Sequence, residues 1–182
     1  MARDNRPLPV AKISYRYLTI ANLDLSSLQM NAGHLDLYPL SLPWFRVGLE
    51  AEIANGSGVI KDTVAGKTSD KSINAWYVET GLSAGLQYPW YVTPFVDGRF
   101  GAGLIGGDVA GTTAVTWMWH AGVEVGAEFY VHKSIFLSGA IGWVHTSYHG
   151  VDLKYADAHP TSQPLYTDLP ADSFTFKLGL GL

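Results

Sequence analysis

His145 and Ser147 stand two residues apart, and on an extended strand that spacing turns both side chains to one face. An imidazole beside a hydroxyl is the minimal pairing for nucleophilic acyl transfer, with histidine as the base and serine as the attacking oxygen. The plainer reading of the same triplet, a polar cluster in a Tyr- and His-rich rim, is preferred. His145, His149 and His159 match no closed zinc-ligand spacing, so no metal site is assigned. The glycines of GAGLIGG at 101–107 lack the following helix and the Lys-Ser/Thr pair that would cradle phosphate. No cofactor is expected.

A second set of reactive groups is spread along the chain. Lys12, Arg16, Arg46, Arg99 and Lys177 alternate with apolar neighbours, as do Glu50, Glu52, Glu79, Asp97, Glu124 and Glu128. Charges on one shared face must be paired or wetted. The expectation is an ion-pair network filling a narrow interior, and the alternative is a channel for small solutes lined by the same groups.

The elements that must position these residues are strands. From Trp76 to Tyr88 every second residue is Trp, Val, Thr, Leu, Ala, Leu and Tyr, and the interleaved set is Tyr, Glu, Gly, Ser, Gly and Gln. Such a period of two means one long strand with unlike faces. After a turn at Pro89–Trp90, Val92, Pro94, Val96, Phe100, Ala102 and Leu104 repeat the pattern against Asp97, Arg99, Gly101 and Gly103. The polar face is thinly charged and rich in glycine, which fits a crowded lumen. The apolar face is bulky and continuous, which fits lipid.

Charged residues make up 15% of the chain, well below a soluble domain, and six Trp and ten Tyr could supply interfacial girdles. Trp44, Tyr88, Trp90, Tyr91 and Phe129 would form one rim, and Trp76, Trp117, Trp119, Trp143 and Tyr148 the other. The formal net charge of −4 leaves no footprint for nucleic acid. Cysteine is absent, which excludes a disulfide scaffold and thiolate chemistry. No apolar run is long enough for a spanning helix, and MARDNRPLPV has no signal-peptide core, so the numbering is taken to begin at a mature chain.

In order, residues 1–9 read as a short tail, followed by strands at Val10–Ile20 and Ser26–Leu37. An apparent change of phase at Gly33–His34 predicts a bulge, and Tyr38–Pro43 a connection. A strand at Trp44–Ala54 precedes a polar loop over Asn55–Ser72. The hairpin from Trp76 comes next, then a loop at Ile105–Thr113 and a strand at Ala114–Val131. A turn at His132–Ser134, a strand at Ile135–Thr146, a proline-bearing loop over Val151–Asp172 and a strand at Ser173–Leu182 complete the chain. The prediction for 1–182 is one all-β domain: an antiparallel up-and-down transmembrane β-barrel of about eight strands, with short turns at one end and longer loops at the other.

With these features the whole chain resembles the small outer-membrane barrels of the OmpA/OmpX type. Its last strand, TFKLGLGL, resembles their C-terminal insertion signal, with Leu182 in place of an aromatic and Lys177 where glycine is usual. The resemblance implies a bacterial outer membrane, outer-membrane lipids and lipopolysaccharide as surroundings, and the barrel-insertion machinery as a partner. It implies no activity; the preferred role is structural or surface interaction, with the outer loops 55–73 and 148–171 as the place for an unknown ligand. The H-x-S pair near the outer end of a late strand also resembles the lipid A deacylases. That family orients its histidine with a downstream glutamate. No Glu follows Ser147, so Asp152, Asp157, Asp168 or Asp172 would have to stand in.

Overall fold

A computed structural model describes residues 8–21, 25–64, 67–109, 112–149 and 169–182. They form eight strands: β1 (Ala11–Ala21), β2 (Leu25–Ser41), β3 (Phe45–Val64), β4 (Lys67–Gln87), β5 (Val92–Val109), β6 (Thr112–His132), β7 (Ile135–His149) and β8 (Leu169–Gly181). Each pairs antiparallel with the next, and β8 returns to β1 in a register running from Lys12↔Gly181 to Ala21↔Asp172. Closure leaves no free sheet edge around the barrel wall, which is the condition for spanning lipid with strands.

The faces sort as the alternation requires. In β1, Lys12, Ser14 and Arg16 are buried inside while Ile13 and Tyr15 point outward. Outward apolar side chains are left bare, with Ile13 69%, Leu86 65% and Phe174 74% exposed. A surface of that kind is stable only where lipid covers it.

Three expectations are corrected. β2 carries no bulge at Gly33–His34, because its pairing with β1 is unbroken from Ile20↔Leu28 to Ala11↔Leu37. The irregularities lie instead at Leu25/Ser27 and Leu37/Leu40 against β3. What changes at His34 is the polarity of the inward residues, from Leu28, Met30 and Ala32 to His34 and Asp36. Second, within the polar stretches expected as loops, residues 55–64, 67–72, 105–109 and 112–113 are strand, paired from Asn55↔Trp76 to Val64↔Lys67 and from Ile105↔Thr116 to Val109↔Thr112. Their Gly- and Ser-rich composition disfavours strand, but register imposed by the rest of each hairpin overrides local propensity. Third, β8 begins at Leu169 and takes in Pro170, because its pairing with β7 continues through Ser147↔Pro170 to Tyr148↔Leu169. The remainder of the predicted Val151–Asp172 loop lies outside the described residues.

The barrel is longer than a membrane is thick. β4 and β6 have 21 residues each. At about 3.3 Å per residue and roughly 40° of tilt such strands rise about 50 Å, against an apolar band of about 25 Å. Going up β3, the outward series Val47, Leu49, Ala51, Ile53 gives way to Asn55 and Ser57, and on β4 Leu82, Val78 and Trp76 give way to Asn74 and Ser72. At the same level the inward series switches the other way. Glu50 and Glu52 are followed by Ala54, and Glu79 by Tyr77 and Ala75. Leu18, Leu28, Met30, Ala32, Ala54, Ala75, Tyr77 and Met118 form one buried apolar cluster inside this upper section, with Ile105 against it. The barrel is inside-polar within lipid and inside-apolar above it.

This boundary is testable with one charge at two heights. Leu82→Arg, midway between Tyr88 and Trp76, should cost about 2–4 kcal/mol and Asn55→Arg about 1 or less. Equilibrium unfolding from phospholipid vesicles measures both, and equal penalties would put the boundary elsewhere.

Candidate functional site

Two groupings of polar side chains qualify. The first fills the lumen at the level of the lipid band. Arg46 on β3 grips Asp97 on β5 through Nε–Oδ1 at 3.0 Å and Nη2–Oδ2 at 2.5 Å, and donates from Nη1 to Glu128 on β6 at 2.5 Å. Its guanidinium carbon also lies 4.3 Å from the Phe95 ring centroid and 4.9 Å from that of Tyr38. Arg16 reaches Glu52 at 2.7 Å and Glu124 at 2.5 Å. Glu124 further accepts from Arg99 at 2.8 Å and Lys177 at 3.1 Å. Arg99 continues to Glu50 at 2.9 Å and lies 3.6 Å from Glu79. The residues singled out as lumen charges therefore meet in one layer.

Sequence reasoning passed over His34 and Asp36, which complete that layer. His34 Nε2 lies 2.8 Å from Asp36 Oδ1, and Lys12 and Lys177 approach Asp36 Oδ2 at 3.3 and 3.5 Å. His120 joins from β6, with Nδ1 2.8 Å from Glu79. Tyr77 donates its hydroxyl to Glu52. An uninterrupted count of two from Met30 would have found His34 and Asp36; reading the polarity change as a slip hid them.

Apolar side chains close the ionic layer at both ends. Tyr38, Phe95 and Phe136 are buried at the short-turn end, and the Leu18–Met30–Tyr77–Met118 cluster lies at the other. A void of about 20 Å³ lies on the lumen side beside Arg16, Tyr77 and His120. That is room for about one water.

The second grouping is on the outside of β7 and β8. His145 and Asp172 are direct cross-strand partners, and Nδ1 lies 2.9 Å from Oδ1. The imidazole sits between Trp119 and Trp143, with centroids 5.9 and 6.2 Å away. Ser147 is the next outward residue on β7, opposite Trp119 on β6 and Pro170 on β8. Below the histidine an open groove of about 720 Å³ runs into the lipid-facing surface between Leu82, Ala84, Phe100, Trp119 and Trp143. Of the aspartates that could orient His145, the fold brings Asp172 to it. Asp152, Asp157 and Asp168 lie outside the described residues, as does His159.

The aromatic residues occupy two levels. Trp44, Tyr88, Trp90 and Tyr91 are exposed at the short-turn end, with Trp44 and Tyr88 packed edge to face at 5.2 Å, and Phe129 is outward on β6 beside them. Trp76, Trp117, Trp119 and Trp143 are outward near the upper boundary. Tyr148 and His149 belong to β7, but their side chains are outside the described set.

Two measurements follow. Glu124→Ala should cost about 3–5 kcal/mol, because it removes the carboxylate that Arg16, Arg99 and Lys177 share and leaves them Glu52, Glu50 and Asp36 as near partners; urea unfolding followed by tryptophan fluorescence measures it. Planar bilayers containing the folded barrel should show no stable conductance steps, since apolar constrictions on both sides of the ionic layer exclude a water column.

No protein-family model matches the chain, and no curated protein sequence matches it. Solved structures do. Neisserial surface protein A is similar at 9% identity over 94% of each chain, with a TM-score of 0.54. The outer membrane protein OprG from Pseudomonas aeruginosa is similar at 12% identity over 96% of each chain, with a TM-score of 0.51. The chain has the fold of the small eight-stranded outer-membrane β-barrels.

Proposed function

We propose that this is an outer-membrane barrel with a sealed lumen whose reactive surface is its upper rim, where His145, Asp172 and Ser147 hydrolyse acyl esters of outer-leaflet lipids. The observation that carries the reading is the 2.9 Å contact between His145 Nδ1 and Asp172 Oδ1 on the lipid-facing side. On sequence alone the H-x-S pair lacks a visible third member, and a non-catalytic barrel is the simpler reading. The cross-strand carboxylate changes that balance.

The chemistry follows the Ser-His-Asp pattern. Asp172 holds the Nδ1–H tautomer, which leaves Nε2 as the base. Ser147 Oγ loses its proton to Nε2 and attacks the ester carbonyl. The tetrahedral adduct collapses as the alcohol oxygen takes the proton back, and the lipid leaves without one acyl chain. Water, deprotonated by the same Nε2, then attacks the acyl-serine, releasing a fatty acid and restoring the hydroxyl. The groove between Phe100, Trp119 and Trp143 gives the scissile chain a place against the barrel wall, and its height brings a lipid ester to the rim without leaving the membrane.

A second reading is a structural or surface-interaction barrel. It is favoured by the filled lumen and by the upward extension of β3–β6, which would present outer segments to a ligand. A solute channel is opposed by the two apolar layers.

Mass spectrometry of lipid A after incubation with detergent-folded protein separates the readings. Loss of one acyl chain, abolished by Ser147→Ala and reduced by about 10⁴-fold in Asp172→Asn, is expected of the hydrolase. Unchanged lipid A with a folded barrel would leave the surface role.

A further inference from the structure

The lumen layer holds more carboxylates than permanent cations. Among the described residues buried there, Asp36, Glu50, Glu52, Glu79, Asp97, Glu124 and Glu128 face Lys12, Arg16, Arg46, Arg99 and Lys177. Seven carboxylates thus meet five permanent cations. The two carboxylates in excess fall to His34 and His120, to protons or to a bound ion, since bare anions held between apolar layers would be costly. A doubly charged cation would close the balance, and one place in the layer has the donors for it.

One donor atom from each of His34, Asp36 and Glu50 lies within 4.8 Å of the others. His34 Nε2 is 2.8 Å from Asp36 Oδ1 and 4.0 Å from Glu50 Oε1. With metal–ligand bonds of about 2.1 Å, adjacent donors of an octahedron stand about 3 Å apart and opposite ones about 4 Å. The three atoms therefore need little movement to share an ion.

Two further observations point the same way. The far nitrogen of His34, Nδ1, lies 2.5 Å from Glu52 Oε2, and Glu52 is itself fixed by Arg16 and Tyr77. A carboxylate on the outer nitrogen is the arrangement that orients metal-bound histidines and sets their tautomer. In addition, Asp36 Oδ2 and Glu50 Oε2 are buried without a hydrogen-bond donor. Lys12 and Lys177 stand 3.3 and 3.5 Å from the first, and Arg99 stands 2.9 Å from the second, all outside hydrogen-bond geometry. These cations hold the two outer oxygens by charge, which leaves Asp36 Oδ1 and Glu50 Oε1 to face His34 Nε2.

We infer that His34, Asp36 and Glu50 bind one divalent transition-metal ion inside the barrel, with Glu52 as the positioning residue. An imidazole with two carboxylates suits zinc or manganese better than calcium or magnesium, which take oxygen ligands. The ion is structural: it links β2 to β3 and neutralises the layer.

The test refolds the denatured chain into detergent with zinc or with EDTA, removes free metal, and measures bound zinc by mass spectrometry and Tm by circular dichroism. Wild type should retain one zinc per chain and melt higher than its EDTA-treated form. His34→Gln and Asp36→Asn should lose the metal, His145→Ala should keep it, and Glu52→Gln should bind about 10–100-fold more weakly. Should His34→Gln fail to fold, the Glu52→Gln affinity decides. No zinc in folded wild type would overturn the inference, as would undiminished zinc in His34→Gln, which would trace the metal to other histidines. Metal-free wild type and Glu50→Gln of equal stability, neither binding zinc, would mean that protons balance the charge and would also overturn it.

Discussion

Glu124 gathers Arg16, Arg99 and Lys177, and through them ties β1, β5, β6 and β8 across the lumen. Much else in the molecule answers to that convergence. An eight-stranded barrel has an interior only wide enough for side chains, so charges placed there must neutralise one another at contact distance. Space for them is made on the wall. A Cβ at Gly142 would stand 2.9 Å from Glu124 Cγ and from Thr175 Oγ1, and one at Gly85 would collide with the Asp97 carboxylate at 1.9 Å. Gly85 and Gly142 thus leave room for the Asp97 and Glu124 side chains, as Gly181 does for the Phe136 ring.

The same constraint explains the layering along the axis. Inside lipid the outer wall must be apolar, and the inward positions are left to polar groups. Above lipid the outer wall meets water and the apolar residues turn inward. Ala54, Tyr77 and Met118 thus continue the inward rows of Glu52, Glu79 and His120 without any break in pairing. An overall hydrophobic content of 47% conceals this, since the same residues serve opposite faces in the two halves.

Fold class and the lipid-band strands were legible because a period of two survives wherever the two faces differ in kind. The upper barrel was not. Over residues 55–72 polar and small residues prevail and the few apolar ones, such as the adjacent Val59 and Ile60, do not alternate, so periodicity fades although pairing runs from Asn55↔Trp76 to Val64↔Lys67. In β2 the alternation persists but its sign flips at His34, and a flip of sign looks like a slip of phase when lipid is assumed on one side throughout. The cost was His34 and Asp36. Arg46, Glu50, Asp97, Arg99 and Glu124 were visible because their strands keep one sign over the stretch that carries them. Asp172 could be named only as one of four aspartates, since the choice depends on which outward position of β8 lies opposite His145.

That choice is made by the lumen. Lys177 and Asp172 are five residues apart on β8, so one is inward and the other outward. Lys177 reaches Glu124 and Asp36 only in the register that sets it opposite Ala140 and Arg16. Sliding β8 by one residue would turn Lys177 into lipid and Leu178 into the ionic layer, and would carry Asp172 to the inside face. A buried lysine bound by two carboxylates makes that slip prohibitive. The ionic layer therefore does more than fill the barrel: it holds β8 against β7 at the one offset in which Asp172 meets His145 on the membrane side. Whatever the rim does, its geometry is inherited from charges that never face the solvent.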